Sequence, residues 1–166
     1  MAEETVWRGS VSQWKNFGLF LLQFFVALVI GSIFAVVSRN SSPEMQKFAP
    51  YILLFLALPI FIAGRRYLQT KCTAYEVTNE RLKTTEGILS KVTDTLEFYR
   101  IKDIERQQPF LYRLCGMENV QLNTSDTSSP LVLIEAVPRA AGLADLIRNK
   151  VEAVRQQKGV REIDVE

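Results

Sequence analysis

The stretch FGLFLLQFFVALVIGSIFAVV, residues 17–37, is long enough and apolar enough to cross a membrane. Its 21 residues carry no charge, and only Gln23 and Ser32 have polar side chains. An α-helix needs about 20 apolar residues to cross about 30 Å of hydrocarbon. The stretch therefore predicts a transmembrane helix in the first third of a chain of 166 residues.

A second uncharged stretch, FAPYILLFLALPIFIAG, follows at residues 48–64. Its 17 residues are close to the lower limit for a span. The connection, residues 38–47, is short and polar, so the two helices are predicted to be antiparallel neighbours. Pro50 suits the first turn of the second helix, whereas Pro59 lies inside it and predicts a kink. Together these features predict a transmembrane hairpin at residues 17–67.

A cleaved signal peptide is the competing interpretation of the first stretch. It fits poorly, because Glu3 and Glu4 precede the stretch and a signal peptide usually has a basic start. The apolar run also exceeds the usual length of about 7–15 residues for the core of a signal peptide. A second apolar run follows at once, so the sequence favours two spans.

Basic residues predict the orientation of the hairpin, because cytoplasmic flanks carry an excess of Lys and Arg. Counted up to Lys83, the outer flanks carry seven such residues, and the connecting loop carries only Arg39 and Lys47. Residues 1–16 and the chain after the hairpin are therefore predicted to be cytoplasmic. Basic side chains near a membrane surface also attract anionic head groups, and the candidates here are Arg65, Arg66 and Lys71.

Three small residues, Ala27, Gly31 and Ala35, recur every four positions in the first span. This spacing places them on one helix face, where small side chains let helices approach closely in lipid. We therefore predict them to be helix-packing residues. Chance is the alternative explanation, since Ala and Gly are common in membrane spans.

From about residue 71 the sequence has the pattern of a cytoplasmic domain, residues 71–158, rich in β-strands. Of ten Phe, only Phe98 and Phe110 lie beyond residue 61. Short strand-like segments separated by turn residues are typical of an antiparallel sheet; we predict strands at residues 72–77, 81–85, 88–98, 101–107, around 120–122 and at 131–137. Residues 108–115 are predicted to form a helical turn with Phe110, Leu111 and Leu114 pointing inward.

The last element is predicted to be an amphipathic helix that begins near Pro138 and ends before Gly159. Its apolar residues recur at helical spacing and are predicted to seal one end of the sheets; they include Leu143, Leu146, Ile147 and Val154. The alternative is that this apolar stripe binds a partner helix. Residues 159–166 are predicted to be a flexible tail.

The composition argues against several kinds of chemistry. The chain has no His, so it has no Ser-His or Cys-His nucleophile pair and no imidazole metal ligand. Two Cys are too few for a disulfide framework or a four-thiolate zinc site. A net charge of +2 does not favour a nucleic-acid partner, and no glycine-rich phosphate loop occurs. We predict no enzyme activity, with no catalytic, cofactor-binding or metal-binding residues and no small-molecule substrate.

Four short motifs follow one another along the chain: Tyr75, Val77, Thr78 and Arg81; Gly87, Ile88 and Leu89; Ile101, Ile104 and Gln107; and Leu111, Leu114 and Gly116. In their order and spacing, these motifs resemble bacterial pleckstrin-homology-like domains of the membrane-associated type. The resemblance extends from Tyr75 to about Val154, and such domains commonly follow a pair of transmembrane helices. It implies an α+β fold with two nearly orthogonal antiparallel sheets, seven strands in all, forming a partly open barrel capped by a C-terminal helix. The sequence pattern predicts about six strands, so one of the seven strands is missed or split.

The leading functional hypothesis is a multi-pass protein of the bacterial cytoplasmic membrane whose cytoplasmic domain is a non-catalytic binding or scaffold module. It would act through self-assembly, as a homo-oligomer, or as an accessory subunit of a larger membrane-protein complex. The alternative is recognition of anionic lipid head groups. Eukaryotic pleckstrin-homology domains often bind such head groups through Lys and Arg around the first hairpin, and the residues at the matching place here are Arg81 and Lys83. The neighbouring carboxylates make this a poor anion site; they belong to Glu76, Glu80 and Glu86.

Overall fold

The computed structural model of the protein describes residues 4–40, 42–127 and 129–158. The chain divides into two compact units. Residues 15–68 form a helical unit, and the described residues on either side of this stretch together form a second unit of sheets and helices. The proposed flexible tail, residues 159–166, lies outside the described residues.

The helical unit is a bundle of one long helix and several shorter ones. Within it, α1 packs against α3. The side-chain amide of Asn16, just before α1, donates a hydrogen bond of 3.4 Å to the backbone oxygen of Arg66 and so joins the two ends of the unit. The helices are α1 (Phe17–Asn40), α2 (Pro43–Gln46), α3 (Ala49–Leu54) and α4 (Ala57–Lys71), the last of which continues into the second unit.

Among the described residues, two helical stretches are long and apolar enough to cross a membrane, as judged by length and composition alone. They are Gln13–Arg39 and Pro50–Lys71, with mean hydropathies of 2.6 and 1.6. Most of their large apolar side chains are exposed within the chain itself; Leu22, Leu54 and Phe61 are examples. An exposed apolar surface of this extent is unfavourable in water and marks a surface that another phase or partner covers.

The second stretch is broken rather than merely kinked. Helix α3 ends at Leu54 and α4 begins at Ala57. A proline ring clashes with the backbone carbonyl four residues earlier and supplies no N–H for it. For Pro59 that carbonyl belongs to Phe55, which accepts instead from the N–H of Leu58 at 3.3 Å. The backbone hydrogen bonding therefore changes next to Pro59, because the proline ring prevents the regular α-helical bond to Phe55.

In its described residues, the second unit contains two antiparallel sheets and no closed barrel. One sheet has four strands in the order β1-β2-β3-β4, and the other has three in the order β5-β6-β7. The strands are β1 (Thr5–Ser10), β2 (Ala74–Thr78), β3 (Arg81–Glu86), β4 (Val92–Glu97), β5 (Ile101–Gln107), β6 (Met117–Thr124) and β7 (Leu131–Pro138). Helix α5 (Phe110–Leu114) connects β5 to β6, and α6 (Leu143–Lys158) ends the described chain.

The strand that the sequence analysis missed is β1. It pairs antiparallel with β2, with Ser10 opposite Ala74. The ring of Trp7 lies over Gly9, where an added Cβ would come within 2.3 Å of it. Beyond the strand, Val11 is buried in the core, and the N–H of Ser12 donates to the carbonyl of Ala136 in β7 at 3.1 Å. The first sixteen residues are therefore not merely a tail before the hairpin, since residues 5–10 supply the seventh strand.

The core lies between the two sheets and is closed by α6. Strand β6 shows the expected pattern most clearly, because its side chains alternate between half-buried and buried along its whole length. From α6, Leu143 and Ile147 are fully buried, Val154 is nearly so, and Leu146 is half-buried against the same cluster. The stripe on α6 thus faces the core of its own unit.

Candidate functional site

One end of the four-stranded sheet brings together the connections to the helical unit and the turn between β3 and β4. The register places Ser10 opposite Ala74, Ala74 opposite Thr85 and Thr85 opposite Thr93. These four residues form one row across the sheet. Because β1 leaves and β2 enters at this row, the chain departs for the helical unit and returns at the same end of the sheet.

The turn between β3 and β4, residues 87–91, projects beyond this row. Gly87 has φ of +121°, and a Cβ added there would lie 1.8 Å from the carbonyl oxygen of Ser90, so only glycine fits. Leu89 is fully exposed in this turn, and Ile88 and Lys91 are also exposed. The predicted strand at residues 88–98 was wrong at its start, because β4 begins only at Val92, which is itself exposed.

A cleft of about 320 Å³ lies between this end of the sheet and the connection from β6 to β7. Its wall includes the carboxylates of Glu86, Asp94 and Asp126. Asp126 accepts a charge-assisted hydrogen bond of 2.8 Å from Arg100. Three carboxylates make the cleft unsuited to an anionic head group. Within the described parts of the chain, no three His, Cys, Asp or Glu side chains are placed to hold a metal ion.

Helix α5 carries a second exposed apolar surface, which we call the α5 patch and define as Phe110, Leu111 and Leu114. The exposed fractions of Phe110 and Leu114 are 72% and 70%, and Leu111 is also exposed. The prediction that these side chains point inward was therefore wrong. In this five-residue helix it is Tyr112 that packs against the core, and burial raises its pKa. A single helical turn has too few residues for periodicity to identify its inner face.

The α5 patch lies at the end of the three-stranded sheet opposite the connection from β6 to β7. Helix α5 joins the end of β5 to Met117 at the start of β6. The connection from β6 to β7 lies at the other end of this sheet, next to the pairing of Asn123 with Leu131. Since that connection lines the acidic cleft, the three-stranded sheet has one end beside the cleft and the α5 patch at its opposite end.

The basic residues expected near the membrane surface are all exposed on α4; they are Arg65, Arg66 and Lys71. The basic residues of the alternative lipid hypothesis lie elsewhere. Arg81 begins β3 beside the β2–β3 turn, at the end of the sheet opposite the row of connections, and its Nε is 3.9 Å from Glu97. Lys83 lies opposite Glu76 in the sheet. These positions do not form one convergent basic site.

In the first span, Ala27 and Gly31 are half-buried within the helical unit, whereas Ala35 is exposed. A Cβ added at Gly31 would meet no atom within 4 Å, so the present neighbours do not require glycine there. The role of these three residues in helix packing stays a prediction. The hydroxyl of Ser32 is used locally, because it donates to the carbonyl of Leu28 at 2.8 Å.

A family model and a solved structure are similar to this chain. The family model described as "Bacterial PH domain" matches residues 17–157, which include most of the first candidate span, all of the second and all of the sheets except β1. Among solved structures, the chain is similar to a DUF1696 family protein with a pleckstrin-homology domain from Shewanella loihica PV-4. The sequence identity is 15% and the TM-score 0.39, with 48% of this chain and 70% of that chain covered. No curated protein matches the chain.

Proposed function

The chain belongs to the bacterial PH domain family, and from this premise we propose that it is a membrane-anchored binding module for another protein chain. A PH-like domain suggests a non-catalytic binding role. The finer proposal has two parts. The helical unit anchors the chain in the bilayer, and the sheet unit presents the α5 patch to a protein partner.

The anchor is supported by the two exposed apolar stretches and by the sheet pairing. Strands β1 and β2 belong to one sheet, yet the helical unit separates them in sequence. A chain that leaves one domain and returns to it must cross a membrane an even number of times. Two spans satisfy this condition, and the excess of basic residues at the outer flanks supports a cytoplasmic sheet unit.

The exposure of the α5 patch is the observation that carries the binding role. Three neighbouring large apolar side chains in a soluble unit are unusual, and such patches mark interaction surfaces. Arg113 lies in the same helix, and arginine beside aromatic and aliphatic side chains is typical of the centre of protein interfaces. We assign the patch to a cytoplasmic partner, either a second copy of this chain or another subunit.

The native mass of the full-length protein, extracted in mild detergent, tests this function. We expect a defined oligomer or complex, and we expect the double variant Phe110→Ser/Leu114→Ser to fall to the mass of a monomer. Leu131→Ser is the matched control, because Leu131 is also an exposed leucine but lies on β7. A wild-type monomer, or equal effects of the control and the double variant, would contradict the assignment of the patch.

Contact with anionic lipid is the second candidate, and the exposure of Arg65, Arg66 and Lys71 favours it. Each basic residue near an anionic surface contributes about 1 kcal/mol, which salt weakens. A contact of this kind is electrostatic and does not select one head group. We expect neutralisation of all three residues to reduce the preference of the reconstituted protein for anionic over neutral lipid; an unchanged preference would exclude the contact.

A further inference from the structure

We propose that the turn between β3 and β4, residues 87–91, inserts Leu89 into the interfacial layer of the same bilayer that the helical unit spans. The proposal rests on the membrane anchoring proposed above. It adds a second, shallow membrane contact made by the sheet unit itself. Its ligand is the boundary between head groups and acyl chains, not a particular lipid.

The first step of the argument is the position of the turn within the sheet unit. The row of Ser10, Ala74, Thr85 and Thr93 marks the end of the sheet at which the chain connects to the helical unit. The last pair before the turn, Glu86 with Val92, already lies beyond this row. The turn therefore projects from the sheet on the side of the two connections.

The second step is the length of those connections. Helix α4, the second half of the candidate span Pro50–Lys71, ends at Lys71, three residues before Ala74. Three extended residues span at most about 10 Å. The row consequently stays within about 10 Å of the end of that helix, and neighbouring strands are only about 4.8 Å apart. Residues 65–71 of α4 are mostly polar and add about 10 Å of helix. An anchored hairpin thus keeps the row within about 20 Å of the apolar layer, and the β3–β4 turn projects beyond the row.

The third step is the chemistry of the turn. Leu89 is fully exposed, and the apolar side chains of Ile88 and Val92 are also exposed. Lys91 is exposed beside them. Apolar side chains flanked by a cation suit the membrane interface, where the apolar groups enter the acyl boundary by about 5–10 Å and the cation stays among the phosphates.

The fourth step decides what kind of contact this is. Glu86 and Asp94 lie on the strands just behind the turn and line the acidic cleft. Their negative charge opposes close approach to a strongly anionic surface, so Lys91 alone does not make the turn an anion-binding site. The contact is therefore carried by apolar insertion, and it should occur in neutral phosphatidylcholine bilayers as well as in anionic ones.

The test uses the full-length protein reconstituted in neutral phosphatidylcholine vesicles. A polarity-sensitive fluorophore is attached through Leu89→Cys, in a chain that also carries Cys72→Ser and Cys115→Ser. Glu80→Cys is the matched control, because Glu80 is exposed in the β2–β3 turn at the opposite end of the same sheet. Leu28→Cys, at an exposed position in α1, reports on the anchor. Quenchers are placed on the lipid, either near the head group or near the methyl end of the acyl chain.

We expect the probe at position 89 to emit at shorter wavelength than the probe at position 80, and to lose most of its emission to the shallow quencher but little to the deep one. The probe at position 28 should be quenched strongly. If position 28 is quenched and position 89 behaves like position 80, the insertion of the turn is refuted while the anchor stands. If position 28 is not quenched, both the anchor and the insertion fail.

A second measurement avoids the cysteine background. A photo-crosslinking amino acid replaces Leu89 in the otherwise unchanged chain, and the products are separated by mass after illumination in the same vesicles. Adducts with phosphatidylcholine support the proposal. Adducts between two protein chains in place of lipid adducts would show that the turn contacts a second copy, which would overturn it.

Discussion

At the scale of single residues, a β-bulge next to the end of β1 shapes the three-stranded sheet. The register between β6 and β7 shifts between Glu118 and Val120, and Ala136 on the facing strand has φ of 50°. An L-residue in this left-handed conformation costs about 1–2 kcal/mol. Two hydrogen bonds hold Ala136: its N–H donates to the side-chain oxygen of Asn119 at 2.9 Å, and its carbonyl accepts from Ser12.

We therefore expect Asn119→Ala to destabilise the protein. The buried N–H of Ala136 would lose its acceptor, and such a loss costs about 1–3 kcal/mol. Thermal unfolding of the full-length protein in detergent, followed by near-ultraviolet circular dichroism, measures the change. Asn123→Ala on the same strand, away from the bulge, is the control and should have the smaller effect; equal effects would show that the bond to Ala136 is unimportant.

The phenol of Tyr75 predicts a dependence of stability on alkaline pH. Burial, reinforced by the charges of Glu86 and Glu135, raises the pKa of Tyr75 to about 12 from 10.0. The folded state therefore holds this proton more tightly than the unfolded state. The resulting stabilisation is complete below pH 10.0 and is lost as the pH rises through about 12.

One unit of pKa corresponds to about 1.4 kcal/mol, so the loss should reach roughly 2–3 kcal/mol. Tyr75→Phe removes the titrating group and should flatten this part of the profile. The difference between the wild-type and variant unfolding free energies, measured in denaturant from pH 9 to pH 12, isolates Tyr75 from other groups that titrate there. Parallel profiles would disprove the role of its burial.

At the scale of elements, the N-terminal strand is the feature that completes the sheet unit. Strand β1 pairs with β2, and the segment after it joins the core through Val11 and contacts β7 through Ser12. The family match begins at residue 17 and so does not include this strand. The N-terminal segment should nevertheless be required for stability, because it covers one edge of β2 and part of the core.

A pair of matched substitutions tests this requirement. Val11→Asp places a charge at a position that is 5% exposed and should cost at least ~2 kcal/mol. Val6→Asp introduces the same charge on β1 at a position that is 41% exposed, where surface changes usually stay within ~0.5 kcal/mol. Resistance to protease in detergent, compared at equal enzyme concentration, measures both. A stable Val11→Asp variant would show that the segment is dispensable.

At the scale of the whole molecule, the order of the elements along the chain predicts that both segments flanking the helical unit lie on the same side of the membrane. In the proposed anchored arrangement, a helical unit that interrupts a sheet between neighbouring strands leaves both flanking segments on one side of the bilayer. The apolar surfaces of the sheet unit then have different expected partners. The β3–β4 turn is assigned to lipid, and the α5 patch is assigned to protein.

Labelling in intact cells with a membrane-impermeant maleimide tests this topology. Glu44→Cys, in α2 between the two spans, should be labelled from outside, because α2 is predicted to be extracytoplasmic. Glu80→Cys should be labelled only after the membrane is opened, and the native Cys72 and Cys115 should behave in the same way. Labelling of position 80 in intact cells would show that the orientation is opposite to the predicted one. If neither variant is labelled after the membrane is opened, the reagent has not reached the protein.

Much of the fold followed from local pattern. The uncharged stretches predicted the helices, and a strand was predicted at residues 101–107, which are the bounds of β5. The helical spacing in α6 identified side chains that the structure buries, such as Leu143 and Ile147. These features are predictable because they depend on neighbours within a few residues, where backbone geometry and the burial of apolar side chains act together.

Long-range pairing and exposure needed the tertiary structure. The pairing of Ser10 with Ala74 joins residues on either side of the hairpin, and a six-residue strand does not specify its partner in its own sequence. Periodicity also does not report what covers a side chain, so the α5 patch was assigned to the core and Leu89 was not recognised as an exposed tip. The sequence by itself determined that the chain has an apolar helical hairpin followed by a more polar α+β part, because composition and local periodicity carry that information. Only the tertiary structure decided that the hairpin interrupts a sheet and that one end of this sheet faces the same way as both connections, because strand register is a property of residues far apart in the chain.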